Sequence, residues 1–318
     1  MKNTTETALG DSLKNYSEPK YDSVCKTILS DKQILARIMC ACVPEYSNCS
    51  IEEAMECIEN KPLLNVEMDE INAISGKNGE DISIPGAVIK YDVLFTATTP
   101  KDNSSIEMFI NIEAQADDKP GYPLIDRAIY YCSRLIARQK NATDGFTGSN
   151  YGDIKKVYSI WICTKPSKDK AGTINMYSIK EDNLFGYWHE KPENYDLLRV
   201  IMIFPPKDCN LQANRTRKTE RLMDMLSALF DSKIKYEVKK CYLEEKHGIM
   251  MVKELKKGVE DMCNLSKNVK NEGKLELAIE YISTLMTEHG MSLEKAMDFL
   301  KVADELRSEI RELLTQEQ

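Results

Sequence analysis

Two carboxylates and an amide stand out by position: Asp92 in the run 87–98, and Glu113 and Gln115 in the run 106–115. Both runs read as β-strands. Alternation puts Ile89, Tyr91, Val93 and Phe95 on one face of the first and Lys90, Asp92 and Leu94 on the other. In the second, Met108, Ile110, Ile112 and Ala114 share a face and leave Asn111, Glu113 and Gln115 opposite. An acid in the middle of an apolar strand is costly unless it is paired or binds a metal. Two such acids on neighbouring strands repel each other unless a cation lies between them. A hard divalent ion, magnesium or manganese, suits such oxygen ligands. The matching chemistry is phosphodiester hydrolysis, in which the ion activates a water and stabilises charge developing at phosphorus. Gln115 lies two residues beyond Glu113 on the same face. Its amide can orient water or hold a phosphate oxygen, but it is neither a cation nor a general base. The plainer alternative is an ion-paired wet sheet face, with Lys90 as one partner.

The segment Thr99 to Ser104 is a turn by composition, so the two strands form a hairpin. Upstream, Tyr21 to Val43 has helical periodicity interrupted at Ser30-Asp31, and Ser50 to Glu53 has capping-box spacing for a short helix. Asn60 to Asp81 reads as a long loop or frayed strand. Downstream, Pro123 to Lys140 predicts a helix with an apolar stripe. Arg127 and Tyr131, four apart, share one of its faces, with two readings open: contact with a phosphate or with metal-bound carboxylates, or a structural pairing. The apolar run Val157 to Cys163 predicts a buried central strand, and 174–179 and 197–204 two more. After Pro206 the pattern is helical over 221–243, 250–265, 275–289 and 293–314, with Gly290 and Ser292 as stop and cap signals. This predicts a leader over 1–20, an α/β domain over 21–206 and a helical region over 207–318.

The formal net charge of −8 argues against a protein that coats nucleic acid. Charge is uneven, however. Residues 45–81 are acidic, whereas Arg127, Arg134, Arg138, Lys155, Lys156, Lys165 and Lys168 make 119–170 basic, so a nucleic-acid surface would have to lie there, which the local charge permits. The ten cysteines are scattered, no CxxC occurs, and no secretory signal is read at the N-terminus. Reduced thiols and a cytoplasmic location are therefore expected. The three histidines are too dispersed for a zinc site. No apolar stretch is long enough for a membrane span, and the glycine signatures of nucleotide-binding loops are absent. The C-terminal helices suggest a bundle or a homo-oligomer contact.

Asp92 followed by Glu113-Ala114-Gln115, then a helix, then Val157 to Cys163 resembles the PD-(D/E)XK nuclease core. More closely, the chain resembles the PD-(D/E)XK nuclease family transposases, relatives of the recombination-promoting nucleases. The supporting motifs are Gly79 to Ser83, Val88 to Val93, Ile110 to Gln115, Gly121 to Ile125 with Arg127 and Tyr130-Tyr131, and Val157 to Cys163; Tyr21-Asp22 and Lys26 look like the family's N-terminal helix. The resemblance implies a restriction-endonuclease-like fold, with a four-stranded mixed sheet flanked by helices. It also implies a magnesium-dependent DNA endonuclease with Asp92 and Glu113 as metal ligands. Gln115 stands where the wider superfamily has lysine. A glutamate from an upstream helix often completes such sites, and Glu45 and Glu53 are both candidates. A reading from another class is a catalytically degenerate module of the same fold that binds nucleic acid or protein.

Overall fold

The computed structural model describes residues 21–58, 62–68, 89–100, 108–115, 121–142, 145–212, 214–302 and 304–315. The predicted leader over 1–20 lies outside them, as does most of 59–88. The first described element is a helix over residues 21–29 (α1). It is followed by α2 (Lys32–Cys42) and the short α3 (Ile51–Glu56). Asp31 caps α2 by accepting from the Gln33 N–H. Ser50 and Glu53 close the expected capping box on α3.

Next come β1 (Leu63–Met68), β2 (Ile89–Ala97) and β3 (Met108–Gln115), then α4 (Leu124–Arg138) and β4 (Val157–Cys163). After β4 the chain forms β5 (Thr173–Ser178), a single turn α5 (Pro192–Tyr195) and β6 (Leu198–Phe204). The six strands make one mixed sheet in the order β1-β2-β3-β4-β6-β5. The β1–β2 and β2–β3 pairs are antiparallel, β3–β4 and β4–β6 are parallel, and β5 closes the far edge antiparallel to β6. Leu63–Met68 was expected to be loop or frayed strand. It is a full edge strand, because pairing to β2 supplies the ladder bonds that local composition does not advertise.

Helices cover both faces of the sheet. On one face α1, α2, α6 (Lys218–Phe230), α7 (Tyr236–His247) and the first part of α8 (Lys253–His289) enclose a large core with Val93, Phe95, Tyr158, Ile160 and Ile201. On the other face α4 lays Leu124, Ala128, Cys132 and Leu135 against Val157, Trp161, Val200 and Met202. β4 is buried at every residue, as expected for a central strand. Gly258 lets α8 pass close to α1, since a Cβ there would sit 3.0 Å from the Ile28 side chain.

The C-terminal helices break at other points than their periodicity predicts. Residues 221–243 are two helices separated at 231–235, where Lys239, fully buried, donates to the Leu229 and Asp231 carbonyls at the end of α6. From Lys253 on, the intervals 250–265 and 275–289 belong to the single 37-residue α8. Gly290, at φ 62°, ends it in the left-handed conformation glycine favours. Beyond lie α9 (Leu293–Phe299) and α10 (Asp304–Thr315), which with the last part of α8 bury a small separate cluster around Ile282, Met297 and Ile310.

At the β5 edge the connection to β6 carries an apolar turn into solvent. Leu184, Phe185, Tyr187 and Trp188 are 94%, 98%, 100% and 72% exposed. The turn has a defined shape: the Asn183 amide donates to the Trp188 carbonyl at 3.0 Å, and Gly186 takes φ 82°.

Candidate functional site

In the β2–β3 register Val93 faces Ile112 and Leu94 faces Asn111. Continued by one residue, it sets the backbone of Asp92 across from that of Glu113. In the β3–β4 register Glu113 pairs with Trp161 and Gln115 with Cys163. Asp92, Glu113 and Gln115 are therefore neighbours at one end of the sheet, where β2 begins and the parallel strands β3 and β4 end. The side chains of Glu113 and Gln115 lie outside the described residues. The Asp92 side chain does not, and it is buried at 8% exposure.

A charge inside an apolar strand needs a partner, and α1 supplies one. The Lys26 ammonium lies 2.8 Å from Asp92 Oδ1 and 2.5 Å from Asp22 Oδ2, one turn earlier on the same helix. Burial pulls the Lys26 pKa down, but the hydrogen bonds and charges of Asp22 and Asp92 outweigh it and leave the group above its usual value. The neighbouring turn of α1 is held to the end of β4: Tyr21 hydrogen-bonds Thr164, and the Lys165 ammonium stands 5.0 Å from the Tyr21 ring centroid. Asp22 and Lys26 were legible as parts of an N-terminal helix. Their place beside Asp92 was not, because nothing in a 66-residue separation announces which helix meets which strand.

Arg127 and Tyr131 share a face of α4, as their spacing requires. Arg127 donates to the Tyr131 hydroxyl from Nε at 2.9 Å and from a terminal nitrogen at 2.6 Å. Its guanidinium also lies over the Trp161 ring, 5.2 Å from the centroid. Since Trp161 is the ladder partner of Glu113, α4 brings this cation to the same end of the sheet. Trp161, expected only as core, is core and also the stacking platform for Arg127.

Neither upstream glutamate lies there. Glu45 is at the opposite end of β4, accepting from Lys156 at 2.9 Å and from the Tyr158 hydroxyl at 2.5 Å. Burial raises its pKa, and those two donors more than reverse the shift. Lys156 also pairs with Asp196 at 2.6 Å, and Arg199 closes the group on Asp196. Glu53 is spent on its own helix cap, and α3 adjoins the far end of β2 through the Ile58–Ala97 bridge. The acid that an upstream helix does deliver to the Asp92 end is Asp22.

Beside this end of the sheet lies an open groove of about 600 Å³, walled by Tyr122, Leu124, Ile125, Tyr177, Met202 and Phe204, with Lys170 and Asn175 on its margin. Of the expected basic stretch, Arg127, Lys165 and Lys170 adjoin the carboxyl ends of β4 and β6, whereas Lys156 is in the opposite cluster. Among the described residues no three His, Cys, Asp or Glu side chains come together as a metal set. Hard oxygen donors at Asp92 and Asp22 are of the right type for a hard divalent ion, and the backbone of Glu113 lies across the ladder from Asp92. No family model, no curated protein and no solved structure matches this chain.

Proposed function

We propose that the chain is a metal-dependent endonuclease that hydrolyses DNA phosphodiester bonds, with Asp92 and Glu113 as metal ligands. The observation that carries this reading is a buried carboxylate at the start of β2, across the ladder from Glu113, at the carboxyl ends of two parallel strands. Open α/β sheets bind ligands at such ends. The order β2, β3, α4 and parallel β4 is the one that the PD-(D/E)XK resemblance implies, which supports the same reading, although the sheet has six strands and not the implied four. Magnesium or manganese, when bound, supplies Lewis-acid chemistry and a water nucleophile at neutral pH.

The chain's own groups divide the remaining work. Lys26 pairs with Asp92 and brings to this end of the sheet the positive charge that Gln115 lacks. Gln115 is left to orient water or a phosphate oxygen by hydrogen bonding. Arg127, fixed by Trp161 and Tyr131, is placed to meet a phosphate, where a planar guanidinium recognises two oxygens together. The adjoining groove offers aromatic rings for stacking and Lys170 for the backbone, the combination that holds single strands without sequence preference.

Supercoiled plasmid incubated with magnesium or manganese tests the proposal. The parent chain is expected to nick it, and Asp92→Ala and Glu113→Ala are expected to lose at least 100-fold in rate while remaining folded by circular dichroism. Nicking by either variant at the parental rate sinks the assignment. The degenerate-module reading draws on Lys26 already neutralising Asp92 and on the −8 net charge. It is favoured if neither ion nicks DNA nor raises the melting temperature of the parent above that of Asp92→Ala.

A further inference from the structure

Away from Asp92, a second place in the molecule concentrates positive charge. The helices α2 and α6, the start of α3 and the end of α7 surround a cavity of about 80 Å³. Arg37, Lys218, Arg221 and His247 line it together with apolar groups such as Ile51 and Leu222, and no carboxylate is in its wall. Among the described residues none of the three cations has a carboxylate within 4 Å; Asp31 and Glu52 act on Arg37 only from farther away. In a chain of net charge −8 such a cluster is not a by-product of composition.

Each cation has a modest structural duty. Arg37 donates to the carbonyls of Gln33, His247 and Gly248, Arg221 to that of Lys246 at 2.9 Å, and Lys218 to those of Ser47 and Cys49 at 2.8 and 2.9 Å. These bonds tie helix ends together, yet neutral donors would do so without mutual repulsion. That repulsion has visible effects. Burial, and then the charge of Arg221, lowers the Arg37 pKa. Burial, and then Arg221 and Arg37, brings His247 down to about 4. His247 is 8% exposed, and its Nε2 is buried without a hydrogen-bond partner. A buried polar atom left unmatched costs free energy that native structures rarely leave uncompensated.

We propose that this cavity is a binding site for one small tetrahedral oxyanion of the phosphoryl class, held by Arg37, Lys218 and Arg221, with His247 Nε2 as a further donor. Such an ion accepts several charge-assisted hydrogen bonds at once and removes the repulsion between the cations. It also satisfies the imidazole nitrogen. A water needs only about 10–15 Å³ of such space, so the cavity has room for the five heavy atoms of one phosphoryl or sulfuryl group and for little more. The first turn of the 13-residue α6 contributes both Lys218 and Arg221, so its positive dipole end adds to the field. The site shares no residue with the Asp92 end and stands whether or not the chain cleaves DNA. The phosphoryl group can come from free inorganic phosphate or from the terminal phosphate of a nucleic-acid strand.

The test titrates the full-length chain with sodium sulfate and sodium phosphate, against sodium chloride at equal ionic strength, by calorimetry and by melting temperature. One saturable site for both oxyanions is expected, with no comparable effect of chloride. Arg221 is exposed, so Arg221→Met is expected to fold normally and to bind at least 10-fold more weakly. Lys233→Met, the same loss of charge at another exposed position, is expected to bind like the parent. A trinucleotide with and without a 5′-phosphate then separates the sources. Tighter binding of the phosphorylated form than of inorganic phosphate identifies a strand end, and equal or weaker binding identifies the free ion. Melting temperatures that follow ionic strength alone, or an Arg221→Met chain that binds like the parent, overturn the proposal.

Discussion

Lys26 and Asp92 put two opposite charges where water hardly reaches, with side chains only 13% and 12% exposed. The worth of such a pair lies less in its attraction than in the cost of leaving one member alone. Lys26→Met is therefore expected to destabilise the chain by roughly 3–5 kcal/mol in urea denaturation, and the double variant Lys26→Met/Asp92→Asn by clearly less. Equal losses in the single and double variants would show that the cost does not come from stranding the Asp92 charge. The pH dependence has a definite sign. The folded-state pKa of Lys26 lies above its ordinary value of 10.5. Its contribution is thus complete below about pH 10.5 and is lost as pH rises through the folded value. The stability gap between parent and Lys26→Met should stay flat through neutrality and close only on the alkaline limb.

At the level of elements, local pattern and distant contact carry different information. The hairpin of β2 and β3, the all-apolar β4 and the striped α4 were legible because period-2 and period-3.6 patterns are local properties. That Asp92 and Glu113 lie on adjacent strands followed from the hairpin; their direct opposition depends on the register. What escaped the sequence depends on long-range choices: β1 as a strand, the 37-residue α8, the distance of Glu45 and Glu53 from the site, and the arrival of Asp22 and Lys26 on α1. Two buried glutamines show how such choices are fixed. Gln139, 2% exposed, donates to the Lys155 carbonyl at 2.9 Å and accepts from the Lys155 N–H at 2.7 Å, clamping the end of α4 to the approach to β4. Gln33 does the same for Met250, at 2.9 and 2.8 Å, and ties α2 to the segment before α8. Gln139→Leu keeps the bulk but removes both hydrogen bonds to the Lys155 backbone. We expect a loss of roughly 2–3 kcal/mol in chemical denaturation; a change below about 0.5 kcal/mol, the range of ordinary surface substitutions, would mean the clamp is ornamental.

Across the described residues, one core joins 21–58, the sheet and the helices after β6. Leu222, Leu226, Leu243, Leu255 and Val259 pack in the same cluster as Ile34, Ile38, Val93 and Ile160. The chain returns after residue 206 to cover the face from which it set out, and α1, which carries Lys26, is trapped beneath that return by the close passage at Gly258. The position of a charge beside Asp92 is in this sense a property of the entire fold.

The apolar turn between β5 and β6 has its own consequence. Leu184, Phe185, Tyr187 and Trp188 are side chains that chymotrypsin cuts after, and all four stand in solvent on a short turn, a preferred site of nicking. Limited digestion should cleave the backbone there first, within residues 184–188. The halves should not separate. β5 stays laddered to β6 from residue 173 to residue 204 across the cut, and the helices after β6 remain packed on residues before it. Under native conditions the nicked chain should elute at the parental volume, and only denaturant should release the two fragments. Spontaneous separation would mean that the covalent link, and not the shared sheet and core, holds the halves together. If they stay joined, the covalent link at this turn is dispensable once the chain has folded.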